Sequence, residues 1–232
     1  MDLPILLSTA FTIGLVHTII GPDHYLPFIS IGRARKWSVN RTVWLTIFCG
    51  MGHVLSSVVL GLIGVALGIA VGLLDKVETV RGSIASWLLI GFGLAYMIWG
   101  IKVSIRTKEH SHEHSHDGVP HEHTHHHLGS HYHAHGATES TTPWALFIIF
   151  VLGPCEPLIP ILMYPAAQHN WGVLLWVTVV FGITTITTMT IIVGLVFKGL
   201  LMINLGRAER YVHALAGLVI ALSGLSLKLF GL

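Results

Sequence analysis

The sequence predicts an all-α, polytopic membrane protein whose six transmembrane helices form a 3+3 inverted repeat, with helices one and four broken. Three observations predict this class: long uncharged segments, an uneven distribution of basic residues, and an internal repeat. The 232 residues are 53% hydrophobic and only 10% charged, whereas soluble domains carry about 25% charged residues. This composition argues against a soluble globular domain.

Six segments are long and apolar enough to cross a bilayer, for which a helix needs about 20 residues. Four of them contain no Asp, Glu, Lys or Arg, and the first and fourth each contain one acidic residue. The N-terminus lacks the basic region of a signal peptide and is expected to belong to the first span. The segments are Leu3–Gly32, Thr42–Leu74, Gly82–Ile101, Thr141–Ala167, Asn170–Phe197 and Tyr211–Leu227.

The basic residues predict the orientation. Ten of the thirteen Lys and Arg follow spans one, three and five, and the other three lie on the opposite side. Because cytoplasmic loops are enriched in Lys and Arg, we expect both termini outside and the loop after span three in the cytoplasm. The expected location is a bacterial-type inner membrane.

An internal repeat relates the two halves of the chain. A shift of 132 residues aligns "GPDHYLPFI" with "GPCEPLIPI" and gives eight identities in the thirty positions from Gly21 to Gly50. A shift of 131 also pairs Glu78 with Glu209. Since each half has three spans, the halves must cross the membrane in opposite senses, as in many transporters. The predicted units are a first repeat (1–101), a histidine-rich loop (102–142) and a second repeat (143–232).

The aligned Gly-Pro segments predict helix breaks that expose backbone carbonyls. Proline donates no backbone hydrogen bond, so it releases the carbonyl four residues before it. In the second segment Pro154 and Pro157 release the carbonyls of Phe150 and Gly153. Free carbonyls are tolerated at membrane depth only when they are buried in protein or line a polar cavity. The breaks therefore predict a polar pocket.

Polar side chains near the breaks predict a metal site. An ionised side chain at the bilayer centre costs roughly 2.5 to 3.5 kcal/mol, and metal coordination would relieve that cost. Imidazole, carboxylate and thiolate ligands suit Ni, Co, Zn or Fe, whereas Mg and Ca prefer oxygen ligands. The candidate ligands are His17, Asp23, His24, His53, Cys155 and Glu156. The candidate supporting residues are Thr18, Pro22, Pro154, Thr184 and Thr185.

Other interpretations of single residues remain open. His53 could hydrogen-bond a neighbouring helix, and Asp23 with Glu156 could form a proton relay without metal. Cys155 could be a ligand, a redox-active thiol or a small packing residue.

A histidine-rich tract, "KEHSHEHSHDGVPHEHTHHHLGSHYHAHG", follows span three. It has no hydrophobic periodicity, so we expect the segment to be disordered without ligand, and such tracts commonly bind metal. We expect a cytoplasmic metal buffer, with a pH-responsive linker as the alternative. Its twelve histidines are His110, His112, His114, His116, His121, His123, His125, His126, His127, His131, His133 and His135.

Two motifs resemble a known family. "HTIIGPDH" and "GMGHVLSS" resemble the intramembrane signatures of nickel/cobalt transporters and the related urease-accessory membrane proteins. The histidine-rich loop resembles their efflux branch. The resemblance implies that His17, Asp23, His24 and His53 select or coordinate the ion. Five residues separate His17 from Asp23, where the family signature has four.

The wider group includes sulfite-exporter-like proteins and thiol-electron carriers of the cytochrome c biogenesis type. "GPCEPLIP" resembles the Pro-Cys segment of those carriers, which need two thiols close together. Here the position matching Cys155 is Asp23, and Cys49 belongs to span two. A thiol-electron carrier and a sulfite-exporter-like anion transporter are thus the alternatives.

The leading functional prediction is transport of a divalent transition-metal ion, with export favoured over import. The ion is the substrate, and no organic cofactor and no enzymatic activity are expected. The expected partners are the lipid bilayer, metal ions and a second copy of the chain, without nucleic acid.

Overall fold

The computed structural model describes residues 3–68, 71–106, 111–116, 119–124, 137–155 and 157–230. Its described part is helical except for one small hairpin. Along the chain lie α1 (Leu3–Ile20), a 3-10 helix (Pro22–His24), α2 (Leu26–Ala34), α3 (Val39–Ala66), α4 (Val71–Arg106), β1 (Ser111–His116), β2 (Val119–Thr124), α5 (Ala137–Leu152), α6 (Leu158–Ala167), α7 (Trp171–Leu201), a second 3-10 helix (Gly206–Tyr211) and α8 (Val212–Phe230).

Five helical segments of the described chain are long and apolar enough to cross a membrane. They are Leu3–Ile20, Val39–Ala66, Gly72–Ile105, Trp171–Leu201 and Ala208–Phe230. The predicted span Thr141–Ala167 is instead divided into α5 and α6, which are shorter than the roughly 20 residues that a crossing needs.

The outer surface of these helices is apolar. Large side chains such as Leu195, Trp44 and Leu55 are 68%, 71% and 61% exposed. An extensive exposed apolar surface marks contact with a membrane or another protein. The membrane class predicted from composition is therefore confirmed.

Both predicted helix breaks are present. We call residues 21–25, between α1 and α2, the first break, and residues 153–157, between α5 and α6, the second break. In the first, Pro22 opens a 3-10 helix after α1 ends at Ile20. In the second, α5 ends at Leu152, and Pro157 precedes the first residue of α6. Proline cannot continue the helical hydrogen-bond ladder, which explains both interruptions.

Helices α4 and α8 touch along their backbones and run antiparallel. Gly93 faces Gly217 and Ala221, whereas Gly100 faces Ala214. A Cβ atom on either α4 glycine would collide with the α8 backbone, so glycine permits this approach. The two helices form a closely packed pair that the two breaks adjoin.

The remaining helices pack around this pair in two apolar clusters. Helix α1 packs against α7, α3 against α5 and α7, and α2 against α8. Phe28, Phe150 and Phe197 belong to one cluster, and Leu158 and Phe181 to the other. The breaks lie where α3 meets both clusters.

The histidine-rich tract contains an antiparallel hairpin in which position 112 lies opposite 123 and position 114 opposite 121. The sequence predicts disorder without ligand, and the hairpin differs from that prediction. Backbone hydrogen bonds hold a polar hairpin, so it shows no hydrophobic pattern in the sequence. The other histidines of the tract, His110, His125, His126, His127, His131, His133 and His135, lie outside the described residues.

Candidate functional site

Three of the predicted site histidines meet inside the helical bundle. His17 lies near the end of α1, His24 in the first break and His53 in α3. The ring centroid of His24 lies 4.7 Å from that of His17 and 5.2 Å from that of His53, with edge-to-face geometry. His24 and His53 are only 1% and 2% exposed. We call these three side chains the histidine cluster.

Backbone carbonyls orient two of the rings. Nδ1 of His53 lies 3.2 Å from the Phe150 carbonyl oxygen, and Nδ1 of His24 lies 3.1 Å from that of Gly21. Because a carbonyl only accepts, each Nδ1 must carry the hydrogen, and the lone pair of the neutral ring is then on Nε2. Metal-binding histidines typically donate their second N–H in this way.

The Nε2 atoms of the cluster share an unusual property. In all three histidines this atom is buried and has no hydrogen-bond partner among the residues that the structure describes. A buried polar atom left unsatisfied costs about 1 to 3 kcal/mol. Three such atoms in adjoining rings make this cluster a candidate ligand site.

The predicted proline effect explains the orientation of His53. Pro154 has no N–H for the Phe150 carbonyl, which instead accepts from His53 Nδ1 and, at 3.1 Å, from the backbone N–H of Gly153. The second break thereby fixes an imidazole on another helix.

Cys155 completes a group of donor atoms. One ligand atom each from His17, His53 and Cys155 lies within 4.8 Å of the other two. Ligand atoms around a tetrahedral ion would be roughly 3.3 to 3.8 Å apart, given metal–ligand bonds of about 2.0 to 2.3 Å. The limit of 4.8 Å is slightly longer than this spacing, and the ring of His24 lies next to those of His17 and His53.

Asp23 lies beside the Nδ1 atom of His24 and not beside the free Nε2. Its Oδ1 atom is 3.3 Å from His24 Nδ1, so the structure places it as a partner of that ring. A cavity of about 10 Å³ lies here, lined by Asp23, His24, His53 and Leu89 among others. That space holds about one water-sized body.

The supporting residues divide by role. The hydroxyls of Thr18 and Thr184 donate to carbonyls of their own helices, both at 2.7 Å. Thr185, which matches His53 in the repeat, has a buried hydroxyl without a hydrogen-bond partner among the described residues. Pro154 packs against Gly82 of α4. Glu156, the sixth predicted ligand, lies outside the described residues.

Two residues at the site were missed by the sequence reasoning. Glu78 and Arg81 of α4 form an ion pair with exposed fractions of 0% and 16%. The sequence places both outside the predicted span Gly82–Ile101, whereas α4 begins at Val71. The signal that could have found Glu78 was its match to Glu209 in the repeat.

Comparison with known protein families identifies the family of the chain. Residues 10–226 match the family described as cytochrome C biogenesis protein transmembrane region. The chain belongs to this family. No curated protein and no solved structure matches it. The family match supports the predicted wider group and a multi-pass membrane protein. It fits a thiol carrier more directly than metal transport, and it does not extend to nickel or cobalt specificity.

The thiol-carrier alternative depends on the two cysteines of the chain. Cys49 and Cys155 are both buried and both free. Cys49 packs in the cluster of Phe28, whereas Cys155 packs in the cluster of Leu158. Cys155 lies beside imidazoles, and Cys49 beside apolar side chains.

Proposed function

We propose that this cytochrome c biogenesis-type membrane protein binds a divalent transition-metal ion at the histidine cluster and Cys155, and carries it across the membrane. The observation that carries the proposal is the donor group of His17, His53 and Cys155, beside which the Nε2 atoms of all three histidines are buried without hydrogen-bond partners among the described residues. One metal ion bound to this group would lie next to the His24 ring as well.

The donor chemistry limits the ion. Imidazole nitrogens and a thiolate suit borderline ions, namely nickel, cobalt, zinc or iron(II). Calcium and magnesium are bound mainly by oxygen atoms, and the convergent atoms here are nitrogen and sulfur. Asp23 supports the ion through His24, because its carboxylate contacts the Nδ1 edge of that ring.

The helix arrangement supports a 3+3 inverted repeat. With α1–α2 and α5–α6 each counted as one broken span, the chain has six spans. Under the repeat, α1 and α2 match α5 and α6, α3 matches α7, and α4 matches α8. The α1–α7 contact then corresponds to the α5–α3 contact, and the α2–α8 contact to the α6–α4 contact. Broken helices at matched positions of two halves are where secondary transporters bind their substrates. Alternating access around the breaks would move the ion.

Export is the direction we propose. The histidine-rich tract follows span three, where the basic residues favour the cytoplasm. A cytoplasmic tract that binds metal would raise the local ion concentration at an inward-facing opening. Both termini then face outward.

Proteoliposomes that enclose a metal-sensitive dye test the transport proposal. Wild-type protein should carry Ni²⁺, Co²⁺, Zn²⁺ or Fe²⁺, and His53→Ala and His24→Ala should reduce the initial rate at least tenfold. Cys49→Ala serves as the matched control, since Cys49 lies outside the donor group. Equal rates with wild-type protein, with His53→Ala and without protein, for every ion, would contradict the proposal.

A transmembrane thiol carrier is the second candidate, and the family match favours it. A relay through an internal disulfide requires Cα atoms of its two cysteines within about 7 Å. Under this hypothesis Cys49→Ser and Cys155→Ser each abolish electron transfer. Under the metal hypothesis Cys49→Ser leaves transport unchanged. Complementation of a strain that lacks a thiol relay distinguishes the two.

A sulfite-exporter-like anion transporter has less support. Arg81 is the cation that contacts the second break, and it is already paired with Glu78. The buried site atoms without hydrogen-bond partners among the described residues are three imidazole nitrogens, Asp23 Oδ1 and the Thr185 hydroxyl. The nitrogens and the carboxylate suit a cation better than an anion.

A further inference from the structure

The second break is held by an ion pair from a different helix. Glu78 of α4 is completely buried, and its Oε1 atom contacts Arg81 Nη1. Its other oxygen, Oε2, accepts the backbone N–H of Cys155 at 3.2 Å. A carboxylate that accepts an N–H makes a stronger hydrogen bond than a neutral acceptor. The backbone of Cys155 is therefore anchored to α4.

Arg81 binds the last carbonyls before the same break. Its Nη2 atom donates to the carbonyl oxygens of Val151 at 2.9 Å and Gly153 at 3.1 Å. The last carbonyls of a helix lack partners within the helix, and Pro157 additionally releases that of Gly153. One guanidinium thus closes the end of α5.

The same guanidinium reaches the helix that carries His53. Nη2 of Arg81 donates to Ser56 Oγ at 2.8 Å, and Ser56 Oγ donates to the His53 carbonyl at 2.8 Å. The planar fork of arginine can serve several acceptors at once, which a lysine ammonium cannot do with the same geometry. Cys155, through Glu78, and the His53 turn, through Arg81, are therefore fixed to the two members of one ion pair.

We propose that the Glu78–Arg81 pair is the positioning unit that holds the Cys155 sulfur beside His17 and His53. This inference rests on the proposed metal site. Neither Glu78 nor Arg81 supplies a ligand to the donor group. The pair determines whether the bound ion has a sulfur ligand in addition to its imidazole ligands. It thereby affects which ions the site prefers.

Cobalt spectroscopy on the full-length chain tests the proposal. In a Cys49→Ser background Cys155 is the remaining thiol, so a thiolate-to-cobalt charge-transfer band reports that residue and is insensitive to the histidine tract. Glu78→Gln keeps an oxygen acceptor for the Cys155 N–H but removes the negative charge. Arg81→Lys keeps the positive charge but loses the planar guanidinium that reaches several acceptors. Each should weaken the band at least fivefold and raise the half-saturating Co²⁺ concentration about 10- to 100-fold, as for other residues that orient ligands.

The Arg33–Glu209 pair provides the matched control. Its two hydrogen bonds measure 3.2 and 3.0 Å. Glu209 lies just before α8, near Ala214, which faces Gly100, and Glu78 precedes Gly100 by 22 residues. At 1.5 Å per residue Glu78 lies roughly 33 Å from Gly100 along the α4–α8 pair, and Glu209 belongs to that far end of the pair. Glu209→Gln and Arg33→Lys should leave the cobalt band unchanged.

Alkylation of Cys155 gives a readout that needs no metal. In the Cys49→Ser background the buried thiol should react slowly with a maleimide, and Glu78→Gln or Arg81→Lys should accelerate the reaction at least tenfold. Each variant is used if it elutes as a monodisperse peak in detergent. Arg81→Lys keeps a buried charge pair, so it carries the test if Glu78→Gln does not fold.

The outcomes separate this inference from the proposed function. A missing cobalt band in the Cys49→Ser protein, together with faster alkylation in the variants, would contradict the metal site and support the positioning role. A normal cobalt band and unchanged alkylation in Glu78→Gln and Arg81→Lys would overturn the positioning role and leave the metal site intact.

Discussion

The two helix breaks occupy matching positions of the repeat but are stabilised differently. In the first break, the backbone N–H groups of His24 and Tyr25 donate to the carbonyls of Gly21 and Pro22, at 3.1 and 3.4 Å. The second break has its own bond from Gly153 to Phe150 but also depends on Glu78 and Arg81 of α4. One repeated sequence signal thus produces a locally closed turn and a turn held by tertiary contacts.

The breaks also share one device. Gly21 lies beside the His24 ring and Gly153 beside the His53 ring, where added Cβ atoms would be 2.5 and 3.2 Å from the respective Nδ1 atoms. In each break a carbonyl accepts from that imidazole. The glycine leaves room for an imidazole to approach the backbone.

The largest expected effect concerns the pair that holds the second break. Removing one partner of a buried ion pair leaves an uncompensated charge and typically costs 3 to 5 kcal/mol. Glu78→Ala should lower the free energy of unfolding by about that amount in a denaturant titration in detergent. Glu209→Ala removes a pair whose carboxylate is 29% exposed and should cost below about 1 kcal/mol. Equal losses for the two variants would remove the distinction between the pairs.

A methyl group in the first break should have the next largest effect. Gly21→Ala would overlap His24 Nδ1, and such overpacking costs about 1 to 3 kcal/mol. We expect metal affinity to fall about 10- to 100-fold, since 1.4 kcal/mol is tenfold. Gly153→Ala should lose less metal affinity, because its added Cβ would be 3.2 Å from His53 Nδ1. Gly199→Ala is the control, since no atom lies within 4 Å of its added Cβ. A greater loss in Gly153→Ala would reverse the comparison.

Asp23→Asn should have a moderate effect. The substitution removes the charge beside His24 Nδ1 with little change in volume. Partners of metal-binding histidines typically contribute 10- to 100-fold to affinity, and we expect about tenfold here because the Gly21 carbonyl also orients the ring. Isothermal titration calorimetry with Ni²⁺ measures this change in metal affinity. A complete loss of binding would indicate that Asp23 is itself a ligand.

Removing residues 109 to 136 should have the smallest effect on transport. The donor atoms lie in α1, α3 and the second break, so the shortened protein should fold and transport at a similar maximal rate. The number of ions bound per chain should fall. Abolished transport at normal expression would make the tract a required part of the pathway.

The sequence predicts the breaks and the histidine cluster because their signals are local. Proline interrupts a helix wherever it lies in the interior, and polar residues such as His24 are conspicuous in an apolar segment. The Phe150 carbonyl was predicted to be free, but its partner His53 lies 97 residues away and could be identified only from the fold.

Hydropathy alone does not predict the Glu78–Arg81 pair, for a related reason. Charged residues mark the ends of transmembrane segments in a hydropathy reading, so the third span was expected to begin at Gly82. Charges three residues apart in one helix neutralise each other here, and α4 extends back to Val71. The contacts of the pair with the second break are tertiary and leave no sequence pattern.

Equilibrium binding to protein without residues 109 to 136 tests the central claim most directly. Dialysis against Ni²⁺, Co²⁺ and Zn²⁺, followed by elemental analysis, should give about one ion per chain for at least one of them, as expected for a single set of imidazole and thiolate ligands. His17→Ala, His53→Ala and Cys155→Ser should each weaken this binding, and Cys49→Ser should not. Stoichiometric binding that survives all three substitutions, or no binding of any first-row divalent ion, would contradict the account.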